Sequence, residues 1–335
     1  MLPAFLGLSG TTLTDAERGL IREADPAGFC LFARNVADRT QLRALTDSLR
    51  NLSGRADMPI LVDQEGGRVA RLRPPIWPEF PAASRFAALY AKAPISAIEA
   101  ARVNAMMLAL TLAEVGINVD AAPVLDLLHP GANAIVGDRS YGADPMQVAA
   151  LGGAMLDGLA GGGVAGVIKH MPGHGRATAD SHHALPVVDA APEELAKDIA
   201  PFRTLAKRAP MAMTAHILFK AWDGQHPATL SATIIKTVIR GEIGFDGLLM
   251  SDDIAMKALS GSLPDRAKAA LAAGCDIVLH CSGKAKDNQK VANALGSMGE
   301  PAAARLERAM DSAASELIDD LAVLAAKRDA LLALA

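Results

Sequence analysis

The chain predicts an α/β fold, a single (β/α)8 barrel of the TIM type with a C-terminal helix packing on it, and three observations carry that expectation. Eight short apolar runs alternate with longer amphipathic ones, the pattern of parallel strands buried by helices. No linker divides the 335 residues, so residues 1–335 read as one domain, a length that an α/β barrel reaches as a single unit. Polar residues also recur just past the last apolar residue of a run: Asp63, Asp126, Lys169, His170, His216 and Asp252. In a closed barrel these strand ends converge on one face.

The first run, AFLGLSG from Ala4, precedes TDAERGLIREA, in which Thr14 and Glu17 have the spacing of a helix capping box. GFCLF from Gly28 precedes DRTQLRALTDSLRNL, with Leu42, Leu45, Leu49 and Leu52 at helical spacing. MPILVD ends the third strand at Asp63. The Pro-rich RLRPPIWPEFPAAS follows, and its Ile76, Trp77 and Phe80 predict an ordered loop on the barrel rim. A helix over 96–114 leads to GINVDAAPVLD, ending near Asp126, and one over 147–159 leads to VAGVIKH, ending at His170. PMAMTAH ends at His216, FDGLLMSDD at Asp253 and CDIVLHC at Cys281, each after a further helical segment. Beyond Gly299 an Ala/Leu-rich segment keeps apolar residues at helical spacing and is expected to close or cover the barrel. Its alternative use is a dimer interface, and a monomer is expected.

Hydrophobic residues make up 51% of the chain, enough for a large core. A net charge of −4 offers no basic footprint, so neither nucleic acid nor an anionic membrane is expected as a partner. MLPAFLGLSG lacks the positive start and cleavage site of a secretory signal, and no apolar run reaches the roughly 20 residues of a membrane helix. Cys30, Cys275 and Cys281 are odd in number and lack CxxC spacing, which argues against a disulfide framework. A cytoplasmic protein is the resulting expectation.

The segment KHMPGHGRATADSHHALP, Lys169 to Pro186, holds four of the eight histidines. A metal site would use such a cluster, but there is no His-x-His, and Pro172, Gly173 and Gly175 break the helix that would align His170 with His174. No metal and no cofactor is therefore expected. A metal-dependent amidohydrolase remains the rival from another class, and Lys169 as an imine-forming lysine is a further alternative. Acid/base work is the third reading. Asp180 and His182 stand two apart, so both can project to one side of an extended loop. A carboxylate on one ring nitrogen fixes the tautomer and leaves the other free to exchange a proton. In LLMSDD, Asp252 ends an apolar strand at the barrel mouth. A carboxylate placed there can attack an anomeric carbon while a second group protonates the leaving oxygen. The bland alternative is that Asp252 or Asp253 caps the following turn.

DQEGGRVARL at Asp63, GDRSYG at Gly137, KHMPGHGRATADSHHALP at Lys169 and MSDDIAM at Met250 resemble the family 3 glycoside hydrolases, specifically the bacterial β-N-acetylhexosaminidases of cell-wall recycling. The similarity runs in order over nearly the whole chain. It implies a retaining exo-β-N-acetylglucosaminidase acting on muropeptides, with Asp252 as nucleophile and His182, oriented by Asp180, as general acid/base on a mobile loop. It further implies that Asp63 accepts hydrogen bonds from the sugar, that Lys169 and His170 donate to it, and that Arg71 and Arg139 touch the sugar or its neighbour. Arg68 is expected in a structural ion pair, and His174 and His183 in bracing or exposed roles. Met171 stands where phenylalanine is usual, and Asp138 would either brace Arg139 or compete for it. A β-glucosidase or xylosidase and a glycoside phosphorylase of the same family are the nearer rivals.

Overall fold

The computed structural model describes residues 1–131, 133–312 and 320–335. In chain order its strands are β1 (Leu2–Gly7), β2 (Pro26–Leu31), β3 (Ile60–Val62), β4 (Val119–Asp120), β5 (Ala165–Met171), β6 (Val187–Val188), β7 (Met211–Thr214), β8 (Leu218–Phe219), β9 (Leu248–Asp253) and β10 (Ile277–His280). Eight of them close into the expected barrel, in the order β1, β2, β3, β4, β5, β7, β9, β10 and back to β1, all parallel. Phe5, Leu61, Val119, Val167, Met211 and Leu248 fill the barrel interior. Gly28 makes room there, because a Cβ at that position would lie 2.7 Å from the Phe5 ring.

The helices begin and end where their capping residues dictate. Thr14 and Glu17 form the predicted capping box at the start of helix Asp15–Ala24. Asp38 caps helix Arg39–Ser53, which stops at Gly54 with φ +69° and buries Leu42, Leu45 and Leu49. Helix Pro94–Glu114 is long and apolar enough to cross a membrane by composition alone. It packs instead against helices Ala83–Tyr90, Pro145–Gly161 and Leu321–Leu332, and contact on several sides explains why it is apolar almost all round. On the rim Trp77 and Phe80 are buried, while Ile76 faces solvent.

Three features depart from or sharpen the sequence reading. The strand expected to run to Asp126 pairs only over Val119–Asp120, because Pro123 has no N–H for the ladder; pairing resumes as a single bridge from Val124 to Lys169. The small sheet of β6 and β8 was not anticipated; it tethers the far end of the loop that follows β5. In the C-terminal segment residues 313–319 lie outside the described residues, and two helices flank them. Helix Glu300–Asp311 closes the N-terminal end of the barrel. Its Leu306 and Ala309 join the interior cluster, and Arg305 bonds Asp246 and Asp276, which precede β9 and β10, at 2.9 and 3.0 Å.

Candidate active site

The C-terminal strand ends surround a cleft of about 440 Å³, within the size range of small-ligand sites. On one wall lies a buried charge cluster. Lys169 lies in the C-terminal half of β5 with 2% of its side chain exposed, and its ammonium reaches Asp63 at 3.0 Å and Glu65 at 2.7 Å. Arg71 bonds the other Asp63 oxygen at 2.9 Å, and its guanidinium lies 5.2 Å from the centre of the Phe32 ring. Arg139 grips Glu65 with two bonds of 2.7 and 2.8 Å.

Burial alone would raise both carboxyls. Lys169 with Arg71 holds Asp63 well below the usual carboxylate range, and Lys169 with Arg139 brings Glu65 to about 2. Burial likewise opposes the charge on Lys169, but Glu65 and Asp63 outweigh it and raise the ammonium. An ammonium clasped between two carboxylates has no lone pair to add to a carbonyl, which speaks against the imine reading. Asp120, fully buried beneath the cluster, accepts the Gln64 N–H at 2.9 Å. Burial, then Asp63 and Glu65, push it well above the normal range against the pull of Gln64 and Lys169.

The histidines separate into distinct environments. Asp126, completely buried, accepts from His170 Nδ1 at 2.7 Å, from the His170 N–H at 3.2 Å and from the His174 N–H at 2.6 Å. The imidazole of His170 and then that of His174 lower this carboxyl to about 2 despite its burial. His182 lines the cleft with its side chain 60% exposed. Its Nδ1 and its backbone N–H both reach Asp180 Oδ1 at 2.8 Å, which leaves Nε2 to exchange a proton. His183 is exposed beside the same carboxylate. His216 is fully buried below the strand ends, held by Thr229 at 2.7 Å and the Asp253 carbonyl at 3.0 Å. Among the described residues no three His, Cys, Asp or Glu side chains converge as metal ligands.

Asp252 is the penultimate residue of β9 and lines the same cleft as His182, Lys169 and His170. Burial would raise its carboxyl, but the His216 and His170 imidazoles, the Asp253 N–H and Lys169 together lower it. Its neighbour Asp253 takes the capping role, accepting from the Ala255 N–H at 2.9 Å and the Cys281 N–H at 3.1 Å. An ionised carboxylate therefore faces the cleft from one strand end, and an oriented imidazole faces it from another loop.

Of the residues named from sequence, Asp63, Arg71, Arg139, Lys169, His170, His182 and Asp252 all line this cleft, and Asp180 stands behind His182. Arg68 pairs with Asp138 at 2.7 Å, as the structural ion pair expected for it. Asp138 therefore neither braces nor competes for Arg139, whose partner is Glu65. Glu65 was missed, although it stands two residues after Asp63, a spacing that brings side chains to one side of an extended chain. Gly175 owes its place to packing: a Cβ there would lie 2.1 Å from the Leu127 carbonyl oxygen.

Comparison with known proteins identifies the family. Residues 6–314 match the glycosyl hydrolase family 3 N terminal domain. A Beta-hexosaminidase of Alkalilimnicola ehrlichii is 42% identical over 284 residues, 84% of this chain and 80% of that protein. One from Pseudomonas aeruginosa is 38% identical over 287 residues, 84% of this chain and 82% of that protein. Among solved structures, NagZ from Neisseria gonorrhoeae in complex with N-trifluoroacetyl-D-glucosamine superposes with a TM-score of 0.88 at 31% identity, covering 99% of this chain and 97% of that one. A family 3 β-N-acetylglucosaminidase from a Paenibacillus species gives 0.82 at 33% identity over 98% of this chain but only 61% of that longer protein.

Proposed function

The chain belongs to glycosyl hydrolase family 3 and is a β-hexosaminidase, and from that premise we propose that it removes terminal GlcNAc from muropeptide fragments such as GlcNAc-1,6-anhydroMurNAc by double displacement. The observation that carries this reading is the meeting of Asp252 and His182 on one cleft beside Asp63, Lys169 and His170. Asp63 keeps unused lone pairs for sugar hydroxyls, and Lys169 keeps a third N–H to donate. Arg71 and Arg139 stand at the same wall, toward the sugar or its anionic neighbour.

In the first step a carboxylate oxygen of Asp252 bonds to the anomeric carbon. The bond from that carbon to the aglycone oxygen breaks, and the oxygen takes a proton from His182 Nε2. In the second step His182 removes a proton from water, whose oxygen bonds to the anomeric carbon and frees Asp252. Asp180 holds the His182 tautomer throughout. An acidic, single-barrel protein acting on cell-wall turnover products fits work in the cytoplasm as a monomer during peptidoglycan recycling.

The test is a comparison of glycosides. 4-Nitrophenyl β-GlcNAc should exceed the matching β-glucoside in kcat/KM by roughly 10²-fold or more. GlcNAc-1,6-anhydroMurNAc should yield free GlcNAc at a rate indifferent to phosphate and to chelators. Equal turnover of the glucoside, or release of sugar 1-phosphate, would replace this reading with one of its rivals.

A further inference from the structure

The loop tip that carries Asp180 and His182 presents a problem of placement. The Asp180–His182 hydrogen bonds lie within the tip. They fix its shape but not its position over the cleft. His182 and His183 are 60% and 75% exposed, whereas Ser181 between Asp180 and His182 is 3% exposed. Among the described residues, Ser181 is the member of 179–185 that hydrogen-bonds outside the segment. Its carbonyl accepts the Ala258 N–H at 3.2 Å, from the turn that follows Asp252. Its hydroxyl lies 3.4 Å from His174 Nε2.

His174 is itself buried, lines the cleft, and meets the His170 ring edge-on with centroids 5.6 Å apart. Its Nδ1 has no partner among the described residues, so Ser181 is the polar neighbour of this ring. Below it, Asp126 holds the His174 N–H and both the N–H and Nδ1 of His170. We propose that His174 is a positioning residue: with Asp126 beneath it and Ser181 above it, His174 ties the sugar-binding end of β5 to the loop tip and holds the acid/base pair over the cleft. Burial and the neighbouring His170 bring the imidazole down to about 4, so the ring is neutral, and Nε2 can share a hydrogen bond with the Ser181 hydroxyl in either direction. The proposal rests on the reading of His182 as the acid, and its test separates the two.

Ser181→Ala removes one oxygen from a tip that keeps its backbone. On a GlcNAc glycoside with an alkyl leaving group, kcat should fall by about 10-fold or more, because misplacing the acid costs most where departure needs a proton. On the 4-nitrophenyl glycoside the loss should stay under about 3-fold, with KM on both substrates moving no further. Ser181→Thr should restore the alkyl glycoside rate. His174→Phe should reproduce the same split, and the double variant should lose no more than either single one, since both act through one contact.

Equal losses on the two substrates, no loss at all, or effects that multiply in the double variant would overturn the relay. His182→Ala is measured alongside. If His182→Ala shows the leaving-group split and Ser181→Ala does not, the relay is wrong and the acid assignment stands. If His182→Ala shows no split, the acid assignment fails and the relay fails with it.

Discussion

Lys169 and His174 illustrate opposite answers to burying a titratable group. Lys169 is kept charged by two carboxylates at 3.0 and 2.7 Å, whereas His174 has no carboxylate bonded to its ring among the described residues and is kept neutral, at about 4. A free imidazole titrates near about 6.5. Between those values the unfolded chain binds a proton that the folded protein refuses. Stability attributable to this group therefore falls as pH drops from about 6.5 to about 4, by roughly 3 kcal/mol in all. Glu65 and Asp126, both at about 2, act lower: their contribution is present above the unfolded carboxyl value of about 4 and is lost as pH falls toward 2. His174→Phe should therefore lessen the drop in urea midpoint between pH 7 and pH 5; an unchanged drop would assign it to other groups. At this scale the sequence exposed residues at or near strand ends, such as Asp63, Lys169 and Asp252. It did not expose what pairs with them, because Asp126 meets His170 across 44 residues and Lys169 meets Asp63 across 106.

Elements were legible where their periodicity was strong. The alternation of apolar runs and amphipathic segments located all eight barrel strands, and Thr14 marks a real helix start. It failed for β6 and β8, whose two residues each are too short to carry a period, and for the interruption at Pro123. Helix-to-helix approach was also invisible. Gly158 lets helix Pro145–Gly161 close on helix Pro94–Glu114, since a Cβ there would lie 2.2 Å from the Arg102 carbonyl oxygen. In an open helix Gly→Ala stabilises by roughly 0.5–1 kcal/mol. Gly158→Ala should instead destabilise by about 1–3 kcal/mol, the cost of overpacking. Denaturant unfolding decides the sign, and a stabilised variant would mean that the two helices are not held this closely.

Over the whole molecule, the barrel mouth and its closed end do different work. At the mouth, loops from β3, β5 and β9 contribute the cleft. At the other end Leu306 and Ala309 seal the interior, and Arg305 clasps the starts of two strands. Helix Leu321–Leu332 packs on helix Pro94–Glu114, so both C-terminal helices share a core with the barrel. One unfolding transition is expected by circular dichroism and tryptophan fluorescence together; separate midpoints would show the C-terminal helices to be an independent unit.

The claim on which the function turns is that the Asp252 carboxylate attacks across the cleft from His182. Trapping with a 5-fluoro GlcNAc donor, followed by peptide mass spectrometry, tests it most directly. The account predicts one sugar per chain, fragment ions placing it on Asp252 and not on Asp253. A sugar carried by a peptide without Asp252, or turnover that the donor leaves unimpeded, would contradict it.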